Sequence, residues 1–185
     1  HPKIGNADVA GEEPNSVSEL YTTLKRFRDV YARGIVPRTE GPTERALFNA
    51  FRSSLFENSA FYPSRFELKI DDRGQLFETV KHEGGGQFFV STTRPGAMRG
   101  NHYHVRKLER FMVIEGEAEI SLRKLLDTEV LRFRVGGAEP VYIDMPTFYT
   151  HAIQNVGSGD LTTLFWSDEM FDVNDPDTYA EPVEA

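Results

Sequence analysis

Cysteine is absent from the 185 residues. Disulfides, thiolate nucleophiles and Cys-type zinc sites are therefore all excluded. No apolar run approaches the roughly 20 residues needed to cross a bilayer, and no secretory h-region precedes the first helical pattern. These absences point to a soluble, cytoplasmic protein with no membrane partner. Positive charge is also scarce: 21 Lys and Arg stand against 29 Asp and Glu, a formal net charge of −8. An acidic surface repels phosphate backbones and argues against nucleic acid as a partner, although a local basic patch has room for one diphosphate. Neither an internal repeat nor a low-complexity segment occurs.

Against these gaps, 39% of the residues are hydrophobic and 14 are Phe, enough for one core domain plus an appendage. Residues 1–15 are polar and rich in Gly and Pro, and read as a linker. Ser16-x-x-Glu19 predicts a capping box opening a helix. Val17, Leu20, Tyr21, Leu24, Phe27, Val30 and Tyr31 then recur at spacings of three and four, and Gly34 with Pro37 marks the stop. A second helix is expected after Pro42, capped by Thr43, with Ala46, Leu47, Ala50, Phe51 and Leu55 on one face. From Phe66 the period changes. Short segments such as "QFFVSTT", "RFMVIEG", "EVLRFRV" and "LTTLFW" alternate with turns such as "EGGG" and "GSGD", the pattern of a β-sandwich or barrel. Phe165 and Trp166 are expected in its core. The expected division is residues 1–62, linker and helices, and 63–185, the β domain.

Two of the five histidines stand one residue apart, at 102 and 104. In a strand, residues i and i+2 share a face, so the two imidazoles project together, as a borderline metal ion requires. Glu109 lies at an odd offset from His104 and would face away on an unbroken strand. A turn through "VRKL", read as a hairpin, returns it to the same point. His151 follows the rigid turn at Pro146 and supplies a third imidazole. The expected metal ligands are His102, His104, Glu109 and His151. Tyr103, between two ligands, should point outward.

The spacing Gly96, five residues, His102-x-His104, four residues, Glu109, six residues, Gly116 resembles the first cupin motif without a gap. The second motif is met by Pro146, His151 and Asn155. Phe148, however, stands where the common pattern has Gly, and Pro140 where it has an upstream Gly. The fold this implies is mainly β, a cupin (double-stranded β-helix or jelly-roll barrel) with two N-terminal helices. The stretches "RPGAMRGNHYHVRKLERFMVIEGEAEISLR", "DMPTFYTHAIQN" and "WSDEMFDVNDPDTY" together resemble the C-terminal cupin domain of the CapF family of capsular polysaccharide enzymes, bifunctional UDP-2-acetamido-2,6-dideoxy-hexulose reductases. The first 60 residues resemble the tail of that family's short-chain reductase domain. No G-x-x-G-x-x-G fingerprint is present, so the resemblance implies a C-terminal piece or a separately encoded cupin that binds no NADPH by itself.

That resemblance implies a divalent metal, zinc first and nickel or iron next. It also implies epimerisation at C3 of a UDP-linked 4-keto-6-deoxy sugar, with a short-chain reductase domain acting in cis or in trans. Such chemistry needs a proton removed beside a ketone and an enolate oxygen stabilised. Tyr149, which shares parity with His151, and His82, the spare imidazole, are the candidate catalytic groups. Arg99, Arg94 and Lys107 are the candidate cations for the UDP group. Two other functions fit the same ligands: an iron-dependent cupin oxygenase, and a non-catalytic, metal-stabilised module that dimerises or holds substrate. The apolar helices and the barrel's edges favour a homodimer.

Overall fold

The computed structural model describes residues 15–57 and 61–184. The chain forms two compact units that divide between Ser64 and Arg65. In the first unit, helix α1 (Val17–Tyr31) opens on the capping box. Glu19 N–H donates to Ser16 Oγ and Ser16 N–H donates to Glu19 Oε2, which satisfies amides that a helix start leaves orphaned. A short extended segment, β1 (Ile35–Val36), leads to helix α2 (Gly41–Ser54). Thr43 is not the cap of α2. Its cap position falls three residues earlier, at Glu40, which makes no side-chain cap bond, and Pro42 sits in the first turn. Proline is tolerated there because its missing N–H had no intrahelical partner to lose. Phe27 on α1 meets Phe48 on α2 with ring centroids 5.0 Å apart, and Phe27 is fully buried.

The second unit is a sandwich of two antiparallel sheets. Its strands are β2 (Lys69–Asp71), β3 (Gly74–His82), β4 (Gly86–Thr93), β5 (Met98–Tyr103), β6 (Glu109–Glu115), β7 (Glu117–Lys124), β8 (Val130–Gly136), β9 (Ile143–Met145), β10 (Tyr149–Asn155), β11 (Leu161–Ser167) and β12 (Tyr179–Ala180). Within this unit one sheet runs β3-β4-β11-β6-β9, with β2 beside β3; the other runs β12-β5-β10-β7-β8. Alternation decides what lies inside. Phe111, Val113, Ile120, Ile153, Leu161 and Phe165 face one another across the two sheets and form the buried core. Phe165 belongs to it. Trp166, one residue on, is half-buried on the other face, where Nε1 donates to Gly85 O, as the period of two demands.

β5 and β6 do not pair, so "VRKL" is not a hairpin. Residues 104–108 carry the chain from one sheet to the other. β10 lies between β5 and β7, with His151 opposite His102 and the register shifting between His151 and Ala152. Gly100 makes this approach possible. Its φ is +99°, and a Cβ there would lie 2.5 Å from His151 O, a distance side chains do not tolerate. Phe148 occupies the turn before β10 with φ +63°. That is the left-handed region a glycine adopts freely and a bulky residue adopts at a cost. Where the common motif has Gly, this chain thus places Phe in a backbone conformation that suits Gly.

Candidate metal centre

Three elements bring the four expected ligands together. His102 lies near the end of β5, His104 just past it, and His151 on neighbouring β10; Glu109 is the first residue of β6 in the facing sheet. One donor atom from each lies within 4.8 Å of the other three. Glu109 Oε2 is 3.1 Å from His104 Nε2 and 3.4 Å from His151 Nε2. The odd offset that placed Glu109 on the wrong face of a continuous strand is resolved by the sheet crossing, because a residue facing inward from the opposite layer meets the histidines head-on.

Two of the imidazoles are held from behind by a backbone carbonyl: His104 Nδ1 bonds to Asp177 O at 2.5 Å and His151 Nδ1 to Tyr149 O at 3.4 Å. A neutral imidazole that donates from Nδ1 carries its lone pair on Nε2. In His104 and His151 that nitrogen points into the cluster, is buried, and has no aligned hydrogen-bond partner. Buried polar atoms without partners are rare and call for an explanation. Donors about 2.1 Å from one ion lie at most about 4.2 Å apart, so the ring closes on a cation with side-chain shifts of under an ångström. The residues fit a divalent metal: three neutral nitrogen donors, one carboxylate and no sulfur.

The electrostatics put His102 and Glu109 in the charge state a metal needs, and favour a proton on His104 that a metal would displace. Burial pulls the His102 pKa down to about 4, and the neighbouring His151 adds to the effect, so His102 is neutral at physiological pH. For Glu109, burial alone would favour the protonated acid. His104 and His151 beside it outweigh that and hold the carboxyl far below its usual range, so it is an anion. Burial also opposes charge on His104, but the adjacent Glu109 carboxylate prevails and raises its pKa. Aromatic rings pack behind the site. The Phe111 ring meets His151 edge-on at 5.4 Å and Phe165 at 4.4 Å, and Phe165 stacks on Phe89.

The other expected residues are placed unevenly. Tyr149 is half-buried, packs against the core and gives its carbonyl to His151. Tyr103 stacks on Tyr179, on the face away from the ligands. Lys107 is buried in the crossing segment, where Nζ donates to Pro176 O. His82 is not brought to the cluster. It ends β3, three strands from Glu109 along the sheet, on the order of 14 Å, and its Nδ1 accepts from Gly84 N–H. Arg99 and Arg94 are not brought there either. Arg99 donates to Thr93 Oγ1 and pairs with Asp71, while Arg94 donates to Asp72 O. Thr93 lies six residues, about 20 Å, along β4 from Gln87, whose row leads through Ser167 to Glu109.

Residue-level reading missed Asp177. It is buried in the tail, and its carboxylate accepts from the amides of Val105, Arg106 and Lys107. The tail segment "WSDEMFDVNDPDTY" stood out as a whole, but nothing marked one acid among its several.

Residues 69–179 match the polysaccharide biosynthesis C-terminal domain. The chain belongs to that family. It is 35% identical over 181 residues to a Pseudomonas aeruginosa UDP-2-acetamido-2,6-beta-L-arabino-hexul-4-ose reductase, covering 96% of this chain and 48% of that protein. This member of the polysaccharide biosynthesis C-terminal domain family therefore spans about half the length of that curated relative. A CapF crystal structure with the inhibitor 3-isopropenyl-tropolone superposes with a TM-score of 0.80 at 33% identity, over 90% of this chain and 48% of CapF. A variant oxalate decarboxylase from Bacillus subtilis, 20% identical with a TM-score of 0.51 over 62% of this chain and 30% of its own, shares the cupin fold. No helix among the described residues is long and apolar enough to cross a membrane.

Proposed function

We propose that this chain is the metal-dependent cupin part of a nucleotide-sugar enzyme. It epimerises C3 of a UDP-linked 4-keto-6-deoxy-hexose for a ketone reduction carried by a short-chain reductase domain in cis or in trans. The observation that carries the reading is the ring of three imidazoles and one carboxylate with two buried, unpartnered nitrogens. The substrate class is supported by the Pseudomonas relative, whose name specifies a UDP-linked hexul-4-ose.

The C3 hydrogen of such a sugar is acidic because the adjacent C4 ketone spreads the negative charge left when the proton departs. Epimerisation removes that proton and returns one to the opposite face, with no net oxidation. A divalent ion held by His102, His104, Glu109 and His151 would supply Lewis acidity toward the ketone oxygen. Zinc suits neutral imidazoles with one carboxylate; nickel and iron suit the same donors. Tyr149, inward-facing beside His151, is the group we assign to proton transfer. Lys107 adds positive charge next to His104. The Phe111 ring packs behind the site, against His151.

Metal analysis of the purified chain, followed by incubation with the UDP-keto sugar in deuterated water, tests the reading. Deuterium should enter at C3, and both Tyr149→Phe and chelation should stop it. Folded, metal-loaded protein that leaves C3 unlabelled sinks the epimerase assignment. The burial of Glu109, His104 and His151 also favours a second reading, a metal-stabilised, non-catalytic module, which a complete lack of exchange would support; exchange that survives metal loss while stability falls would make the ion structural. Oxygen uptake by iron-loaded protein would point instead to an oxygenase.

A further inference from the structure

We propose that Asp177 is a positioning residue that locks His104 in its ligand tautomer. This rests on reading the four-residue ring as a metal site and adds a residue to it. Asp177 has φ +41°, left-handed backbone that Asp accepts more readily than most residues. That conformation turns its side chain and its own carbonyl toward the same short stretch of chain. The carboxylate accepts from three successive amides, of Val105 at 3.1 Å, Arg106 at 3.0 Å and Lys107 at 2.8 Å. The carbonyl accepts from His104 Nδ1. One residue thus grips the ring of a ligand and the backbone immediately after it.

The chemical consequence follows from the tautomer. With the proton fixed on Nδ1, the Nε2 lone pair faces Glu109 and the other histidines. With the proton on Nε2, that nitrogen would donate to Glu109 Oε2, 3.1 Å away, and have no lone pair for an ion, and the Asp177 carbonyl would be left buried without a partner, at a cost of about 1–3 kcal/mol. Partners that hold a ligating imidazole from behind change metal affinity by roughly 10–100-fold. Arg106 ties the same tail elsewhere, to Glu169 and Asp175, so tail docking and ring orientation can be separated.

The experiment uses the whole chain with ¹⁵N-labelled histidine. In metal-free wild type, at a pH high enough for His104 to be neutral, long-range ¹H–¹⁵N spectra should show His104 with its proton on Nδ1. Asp177→Ala should give a tautomer mixture and weaken zinc(II), measured by chelator competition, about 10–100-fold. Asp177→Asn, which keeps an acceptor oxygen and tolerates positive φ, should recover most of the affinity. Arg106→Ala loosens the tail without touching His104 and should change neither readout. The proposal is overturned if Asp177→Ala keeps the wild-type tautomer and affinity, or if Arg106→Ala shifts both as far. If Asp177→Ala does not fold, Asp177→Gly, which accepts the positive φ but has no side-chain acceptor, decides: reduced protection of the amides at 105–107 with a wild-type tautomer ratio and affinity refutes the role. Wild type that takes up no zinc(II) or cobalt(II) defeats the metal reading alone, and the tautomer result stands apart from it.

Discussion

Phe148 offers a test in which the sign is opposite to common experience. Its φ of +63° places a bulky residue in the left-handed region. The turn is pinned on both sides, since Phe148 N–H donates to His104 O at 2.8 Å and Phe148 O accepts from Leu125 N–H at 2.9 Å. The backbone therefore keeps its conformation whatever the side chain. A non-glycine residue there costs about 1–2 kcal/mol. At an ordinary position glycine is worse than alanine by about 0.5–1 kcal/mol. Subtracting one from the other leaves Phe148→Gly more stable than Phe148→Ala by about 0.5–1 kcal/mol. Both variants lose the same contact, because the ring is 49% exposed and only half of its burial, about 1 kcal/mol, is at stake. Phe148→Ala should thus lose about 1 kcal/mol, while Phe148→Gly stays near wild type. Urea unfolding of the three proteins under one condition measures the order. Alanine equal to or more stable than glycine would refute the strain argument, since it would show that the turn relaxes instead of holding its φ.

Three further outcomes are expected. Gly100→Ala puts a Cβ 2.5 Å from His151 O, so it should push β5 from β10 and lower both the unfolding midpoint and zinc affinity; calorimetry with zinc titration checks both, and an unchanged affinity counts against the close approach. Arg123 is buried and donates to Val183 O, Pro182 O, Asp127 O and Glu181 Oε1. Its alanine variant should lose roughly 2–3 kcal/mol, with the Glu181 contribution discounted for that partner's exposure, and limited proteolysis should then clip the C-terminal tail. Metal at 100 times its dissociation constant should add about 2.7 kcal/mol, or roughly 5–10 °C in melting temperature for a chain of this size; Glu109→Gln should erase that difference.

The barrel was legible because alternation and turn residues are local properties, and His102 and His104 declared themselves by sharing strand parity. Glu109 is brought beside the imidazoles, but by a different route from the expected hairpin. Spacing shows that the chain must turn before Glu109 without showing whether it pairs with the previous strand or crosses to the facing sheet. Arg94 and Arg99 lie close to the ligands in sequence, but their guanidinium groups are engaged elsewhere, with Asp72 and with Thr93 and Asp71. Asp177 was illegible for the converse reason. It arrives from 73 residues beyond His104, inside an acidic stretch in which spacing singles out no one residue. The positive φ at Phe148 carried only a negative signal, the absence of the glycine that the motif prefers.

Two of the imidazoles stand on one layer of the sandwich and the carboxylate on the other. An ion seated there would act as a bolt through both layers, so that end of the barrel could not gape until the bolt was drawn. Exchanging any of the four for another residue would therefore slacken the scaffold and alter the reactive centre in a single stroke. Loss of turnover in such a variant would carry both contributions, and substitutions at neighbours outside the ring are the ones that separate them.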